Sequence, residues 1–424
     1  MKQINLFEFE KKVNSVVEIV KDLPFKRVRD EYFDFKDFPA SSRIYGIHPY
    51  PAMFHFLVVR KLISDFSNEG AQILDPFMGS GVVAGECLIS KRNFIGYDIN
   101  PLAVLIAKVR TTPIETKLLL KKLEYIGEIY KGKKPYNVNF HNIDYWFDKD
   151  VIKMLSKLRQ AIYAIEDDKM KAFFKVAFSE TVRRVSRTRY NEFKLLRRKD
   201  IENNLNVLKT FRDISLKNIG LLSSFYEDFI PSENTLKLEN INITDGIPLD
   251  DNSIDLVVTS PPYGDSRTTV AYGQFSRLSL RWLGLEENVD RTSLGSKAKN
   301  ISYDLPSNLL YEFVERIANK DEKRAKEVFS FYKDLYNSIQ IIASKVKNHG
   351  FVCFVVGNRR VKGLELPTDK ISADLFECNG FQHQRTFVRS ILHKRMPSEN
   401  SPSNIRGEKD STMRYEYIVI LKKN

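Results

Sequence analysis

The stretch Gln72-Ile73-Leu74-Asp75-Pro76-Phe77-Met78-Gly79-Ser80-Gly81-Val82-Val83-Ala84 decides the fold. A short apolar run ends at an acid and a proline, passes through two glycines and continues into a helix-like stretch, residues 82–90. A second strand-like run, residues 93–97, ends at Asp98. Strand, tight turn, helix and strand open a doubly wound α/β sheet. In such sheets ligands bind beyond the carboxyl ends of the strands. Glycines at residues 79 and 81 tolerate positive φ and let the backbone approach a ligand. The helix that follows points amide groups at whatever is bound. Asp98 stands at the spacing expected of an acid that binds ribose hydroxyls. The combination predicts an adenosine-bearing cofactor.

Strand grammar returns at residues 236–243 and in the run Ile254-Asp255-Leu256-Val257-Val258. The latter delivers Thr259-Ser260-Pro261-Pro262-Tyr263 to its carboxyl end. A small polar residue, two prolines and an aromatic suit the holding of a flat, amine-bearing base by hydrogen bonding and stacking. Gly79-Ser80-Gly81-Val82-Val83-Ala84 also fits a G-x-G-x-x-G/A dinucleotide pattern. Two features oppose a nicotinamide cofactor. Asp75 precedes the turn, where it faces a cationic amino group better than a pyrophosphate, and Ser-Pro-Pro-Tyr has no role in hydride transfer.

Residues 53–63 read as a helix, and residues 113–230 read mostly helical, with apolar spacing at 118–130, 151–165 and 170–182. Residues 283–325 are polar and irregular. A clean amphipathic helix follows, with Val328, Phe331, Leu335, Ile339, Ile342 and Val346 on one face and Gly350 as its stop. Residues 351–356, 385–391 and 416–421 complete the expected strands, the last two as a hairpin-like pair. The domain plan is a helical N-terminal extension over residues 1–44, with a helical pattern near 7–20. A catalytic domain spans residues 45–110 and 235–424, and a mainly helical inserted domain spans 111–234.

The 424 residues are 42% hydrophobic and 29% charged, as in a globular chain, and no run approaches a membrane span. No secretory signal follows Met1, and Cys87, Cys353 and Cys378 are too far apart for a disulfide framework. A reducing cytoplasm fits. No paired Cys or His stands at ligand spacing, so no metal is expected. The net charge of +13 favours an anionic partner such as nucleic acid.

Together, residues 75–81 and Thr259-Ser260-Pro261-Pro262-Tyr263 resemble motifs I and IV of the S-adenosylmethionine-dependent DNA amino-methyltransferases. The Ser-Pro-Pro-Tyr form resembles the N4-cytosine branch; adenine-N6 enzymes more often begin that motif with Asp or Asn. The resemblance covers roughly residues 45–110 and 235–424. It implies a Rossmann-like class I methyltransferase fold with S-adenosyl-L-methionine as cofactor and S-adenosyl-L-homocysteine as product. The implied cofactor-binding residues are His48, Asp75, Pro76, Phe77, Met78, Gly79, Ser80, Gly81, Asp98, Ile99, Asp245 and Thr259. His48-Pro49 resembles motif X, Asp98 the motif II acid and Asp245 the motif III position that meets adenine. A large insertion between motifs II and III departs from the usual spacing, although the motif order is closest to the α arrangement.

The implied catalytic residues are Ser260, Pro261, Pro262 and Tyr263. The Ser260 hydroxyl and the Pro261 carbonyl accept the N–H groups of the cytosine amine, and Tyr263 stacks on the base. A base inside a duplex cannot reach such a pocket, so flipping is implied. No cysteine follows the prolines, so attack on the ring carbon is not supported.

The partner is then double-stranded DNA, with a restriction endonuclease as a functional counterpart and no membrane. Arg183, Arg184, Arg187, Arg189, Lys194, Arg197, Arg198 and Lys199, interleaved with Tyr190 and Phe193, read as a phosphate-contacting surface. The bland alternative is a solvated helix face whose arginines pair with local acids. Arg267, Tyr272 and Phe275 are placed to line the base pocket or brace the strand, and the loop at residues 395–414 is a third candidate. Adenine-N6 methylation, RNA methylation and an inactive nucleic-acid-binding protein of the same fold stay open as alternatives.

Overall fold

The computed structural model describes residues 25–190, 192–198, 206–227, 233–265, 270–391, 399–400, 410–411 and 413–424. Its centre is an eight-stranded sheet: β1 (Arg27–Arg29), β2 (Gln72–Asp75), β3 (Asn93–Tyr97), β4 (Leu236–Glu239), β5 (Ile254–Thr259), β6 (Val346–Val356), β7 (Phe381–Ser390) and β8 (Tyr415–Lys423). The spatial order is β1-β7-β8-β6-β5-β2-β3-β4. Neighbours β4, β3, β2, β5 and β6 run parallel. Strand β8 lies antiparallel between β6 and β7. The chain winds outward in one direction from β2 and in the other from β5. The sheet therefore reverses between these two strands, where doubly wound folds bind ligands.

Strand β5 shows why its sequence is a continuous apolar run. Leu256 and Val258 point to one helical layer, and Val257 points to the other. All three are fully buried, as expected of a central parallel strand covered on both faces. One layer holds α1 (Phe56–Phe66), α2 (Val82–Ile89), α3 (Pro101–Arg110), α4 (Thr116–Gly132), α5 (Lys149–Tyr163), α6 (Asp168–Val185), α7 (Val207–Glu227) and α8 (Tyr272–Leu283). The opposite layer holds α9 (Asn308–Ala318), α10 (Glu322–Lys345) and α11 (Thr368–Glu377).

Several expectations change. Residues 25–44 are not a helical extension: β1 pairs with β7, and Arg27 Nε donates to Asp369 Oδ2 at 2.7 Å. The pattern at residues 7–20 lies outside the described residues. The helices between β3 and β4 do not form a separate core. Phe173, Phe174, Phe178 and Leu222 belong to the same apolar cluster as Val58, Leu102 and Leu256. Residues 308–318 are a helix inside the stretch expected to be irregular, its N-terminus capped by Ser307. Strand β4 ends at Glu239, and a short 3-10 turn, Ile243–Asp245, follows. Gly350 is no helix stop, because α10 ends at Lys345 and Gly350 lies within β6. Local propensity reads the turn of a chain well, but it cannot see which apolar faces share a core.

Candidate active site

A cleft opens at the carboxyl ends of β2 and β5. Asp75, Pro76, Phe77, Met78, Gly79 and Ser80 form its floor; Asp98, Ile99 and Asn100 form one side; Ser260 and Pro262 lie across from them. Gly81 has φ +79° and stands where a Cβ would lie 2.5 Å from the Ala107 Cβ. The glycine thus lets the turn sit directly on α3. Arg110, at the end of α3, is fully buried beneath the turn and donates to Ser80 O at 2.6 Å and Ser80 Oγ at 2.8 Å. It also donates to Tyr45 O at 2.8 Å, tying the turn to the segment before α1. Burial lowers its pKa to about 10, so it remains a cation at neutral pH.

The two carboxylates at the strand ends are held differently. Asp75 Oδ1 accepts from Thr259 Oγ1 at 2.6 Å and from Phe77 N at 3.1 Å. The Thr259 contact joins β5 to β2 across the sheet reversal. Asp98 Oδ2 accepts from Gly79 N at 2.8 Å and Oδ1 from Asn100 N at 2.7 Å, so Asp98 braces the glycine turn. Each Asp98 oxygen keeps a second lone pair. Burial pushes Asp75 up to about 7 and Asp98 up to about 6. A site that raises two acids in this way favours a ligand with a cationic group and hydroxyl donors.

Ser260 begins the segment after β5. Its Oγ is 3.2 Å from Tyr263 Oη, and Tyr263 Oη donates to Glu416 Oε1 at 3.1 Å. Arg389 Nη1 donates to Glu416 Oε2 at 2.9 Å. Pro261 is buried, and Tyr263 does not line the cleft. Its ring packs against the apolar layer of α9 to α11 instead of presenting a stacking face to the cavity.

Some expected cofactor residues lie elsewhere. His48 is fully buried, with Nε2 3.0 Å from Ser179 Oγ, and does not reach the cleft. Burial lowers its pKa to about 3, so it packs as a neutral ring. In place of His48, the residues that follow it directly, Tyr50, Pro51, Ala52, Met53 and Phe54, line the cleft. Asp245 is exposed and outside the cleft; Asn242 and Ile243 line it, because the 3-10 turn aims its first residues inward. Gly81 and Thr259 act behind the lining. Two contributions carried no sequence signal: the wall Val289-Asp290 with Thr292-Ser293-Leu294, and Arg110. Asp290 Oδ1 accepts from Gly273 N at 3.1 Å and Oδ2 from Arg277 Nη2 at 2.8 Å, fixing that wall to α8.

The basic run divides. Arg183 is 1% exposed, donates to Phe275 O at 2.9 Å and Glu192 O at 2.8 Å, and stacks over the Phe275 ring. Burial lowers its pKa to about 10. It is a structural strut, not a surface cation. Arg184 pairs with Glu180, Arg187 with Asp148, Arg197 stacks over Tyr145, and Arg198 donates to Ser186 O. Arg189 and Lys194 are exposed. Residues 187–190 and 192–198 run antiparallel past each other, with Thr188 opposite Arg197. The returning strand reaches α8, where Leu195 N donates to Gln274 Oε1 at 3.3 Å. Tyr272, at the start of the same helix, lines the cleft and stacks on Tyr50. Arg267, Lys199 and most of the 395–414 loop lie outside the described residues. Among the described residues, no group of three or more His, Cys, Asp or Glu could hold a metal ion, and no helix is long and apolar enough to cross a membrane.

The sheet order, the glycine turn and the acids at two adjacent strand ends define a doubly wound methyltransferase architecture. A DNA methylase family model (N6_N4) matches residues 4–109. The family model of D12 class N6 adenine-specific DNA methyltransferases matches residues 57–281. The chain is 38% identical to the type II methyltransferase M.MvaI of Kocuria varians, over 94% of this chain and 95% of that protein. It is 23% identical to the type II methyltransferase M.BsoBI of Geobacillus stearothermophilus, over 90% and 86%. Among solved structures, a TehB-like SAM-dependent methyltransferase from Corynebacterium glutamicum matches at a TM-score of 0.30 and 10% identity, over 86% of this chain and 87% of that one. The chain belongs to the type II DNA methyltransferases. Its methyl donor is S-adenosylmethionine, and its substrate is DNA.

Proposed function

We propose that this enzyme methylates the N4 amine of a cytosine flipped out of double-stranded DNA, as the modification half of a restriction–modification pair working in the cytoplasm. The observation that carries this reading is Ser260 lining the same cleft as Asp75 and Asp98, one residue beyond the Thr259–Asp75 contact. On this reading the methyl-donor site and the amine-holding site adjoin at the sheet reversal.

The residues fit the donor. Asp98, whose oxygens still have acceptor capacity, suits a ribose diol. Asp75 accepts both its hydrogen bonds on Oδ1, leaving Oδ2 for the cationic amino group of the methionine part. Asn242, Ile243 and Ile99 line the cleft on the adenine side of this reading. When bound, S-adenosylmethionine supplies an electrophilic methyl carbon carried on a cationic sulfur. Ser260 Oγ and the Pro261 carbonyl accept the amine N–H groups and turn its lone pair toward that carbon. The proline has no N–H to compete and stiffens the segment. Positioning of this kind can supply much of the rate.

Serine at the head of the segment favours cytosine. The match of residues 57–281 to the N6-adenine family favours adenine, and this is the second reading. Incubation with labelled cofactor and plasmid, followed by base analysis, separates them. N4-methylcytosine supports the proposal; N6-methyladenine replaces it with the second reading. Residues 111–234, with the antiparallel stretches 187–190 and 192–198 beside α8, are proposed to carry DNA recognition.

A further inference from the structure

We infer that Glu416, paired with Arg389, is a positioning residue that fixes the hydrogen-bond polarity of Ser260, making its hydroxyl an obligate acceptor toward the target amine. This deepens the reading of Ser260 as amine acceptor and rests on it. Three oxygens form a chain leading away from the cleft: Ser260 Oγ, Tyr263 Oη at 3.2 Å and Glu416 Oε1 a further 3.1 Å on. The far end is anchored by the Arg389 guanidinium, 2.9 Å from Glu416 Oε2 and itself 5% exposed.

The direction of the chain follows from proton counting. A carboxylate only accepts, and a phenol has one proton to give. Hydrogen bonds to a charged acceptor are roughly twice as strong as neutral ones, so the phenol proton points to Glu416. The Tyr263 oxygen can then only accept from Ser260. Burial, with Glu416 beside it, pushes the phenol well above its ordinary range, so Tyr263 keeps the proton it donates. The single proton of Ser260 is committed to Tyr263, and its lone pairs are left facing the cleft. An exocyclic amine attacks only with its lone pair free. A serine proton aimed at that lone pair would oppose the reaction, and a serine oxygen facing the N–H assists it. The polarity is set by two residues of the C-terminal strand pair, 126 and 153 positions from Tyr263 in the chain for Arg389 and Glu416 respectively.

Glu416→Gln is the decisive variant. The amide can donate to Tyr263 Oη, which releases the phenol proton toward Ser260 and turns the serine proton into the cleft. The single-turnover rate of methyl transfer to DNA is expected to fall about 10- to 100-fold, on the order of the loss of one oriented hydrogen bond in a reacting site. Affinities for S-adenosylmethionine and for DNA stay at wild-type values. Placed on a Ser260→Ala background, Glu416→Gln is expected to cost nothing more, because it acts through the serine. Tyr263→Phe cuts the same chain while leaving the Arg389–Glu416 pair intact, and serves as the test if Glu416→Gln does not fold. Wild-type transfer by Glu416→Gln or Tyr263→Phe overturns the inference, as does a rate loss that multiplies with that of Ser260→Ala. Wild-type transfer by Ser260→Ala alone overturns the underlying role of Ser260 instead.

Discussion

The glycine turn, residues 75–81, and the basic run, residues 183–198, use charge in opposite ways. Asp75 in the turn and Asp98 after β3 sit at strand ends and are held by backbone amides and one threonine, with side-chain oxygens left to serve the cleft. In the run, many cations are already engaged. Arg183 is buried on backbone carbonyls, and Arg184 and Arg187 are paired with acids. The turn is readable because one short stretch of sequence writes its loop, even though Asp98, Arg110 and Thr259 brace it from farther along the chain. The run is a surface whose chemistry depends on partners from elsewhere: Asp148, Tyr145 and Phe275. A list of arginines therefore overstates the number available to phosphate.

Gly81→Ala should give the largest effect on the turn. It combines a left-handed backbone, worth about 1–2 kcal/mol for a non-glycine residue, with a Cβ clash against α3. Cofactor affinity is expected to fall about 100-fold or more, with a lowered melting temperature; titration calorimetry and thermal melts read both. Wild-type affinity would show that the turn tolerates movement away from Ala107. Arg183→Ala tests the other region. It strands the buried Phe275 carbonyl, breaks the bond to Glu192 O and removes a ring contact, so a loss of about 2–4 kcal/mol is expected in denaturant melts. A variant of normal stability with weakened DNA binding would return Arg183 to the phosphate surface.

The same contrast explains what the sequence revealed. The strand–turn–helix–strand unit and Ser-Pro-Pro-Tyr are local as patterns: each is written in one short stretch of sequence, although Asp98 and Thr259 then reach Gly79 and Asp75 from 19 and 184 positions away. The doubly wound sheet, and the position of Asp75, Asp98 and Ser260 at strand ends beside one cleft, are legible for that reason. His48 was misplaced because its neighbours Tyr50 and Pro51 turn inward while its own ring meets Ser179 on α6. Asp245 was misplaced because the 3-10 turn rotates Asn242 and Ile243 into the cleft. Arg110, Glu416 and the wall at residues 289–294 act over long chain separations, and no spacing rule links them to the motifs.

The acids of the turn give the next effect. Asp75 and Asp98 are raised to about 7 and about 6, so the folded state holds protons that the unfolded chain has released above roughly pH 4. The stability of the cofactor-free protein should therefore fall as pH rises, through both acids from about pH 4 to 6 and through Asp75 alone from 6 to 7, by up to about 1.4 kcal/mol per pH unit for each titrating group. Asp75→Asn should flatten the upper part of that slope. Binding of a cation beside Asp75 favours its ionised form, so cofactor binding near pH 6.5 should release protons, seen as a dependence of the calorimetric heat on buffer. A flat stability profile from pH 4 to 7 would contradict the buried state of both acids.

The smallest effect is expected at the surface cations, and it sharpens the comparison most. Each phosphate contact by a lysine or arginine adds about one unit to the salt dependence of DNA binding. Arg189 and Lys194 are exposed, so Arg189→Ala and Lys194→Ala should each lower the slope of log affinity against log salt by about one. Arg184→Ala should leave it unchanged, because Glu180 holds that guanidinium through two nitrogens, at 2.9 and 2.6 Å. Lys217 also faces Glu180, at 3.5 Å, so the acid is committed on both sides. A slope that drops for Arg184→Ala would mean that this network opens when DNA arrives. The basic run would then act as a switched surface instead of a fixed one.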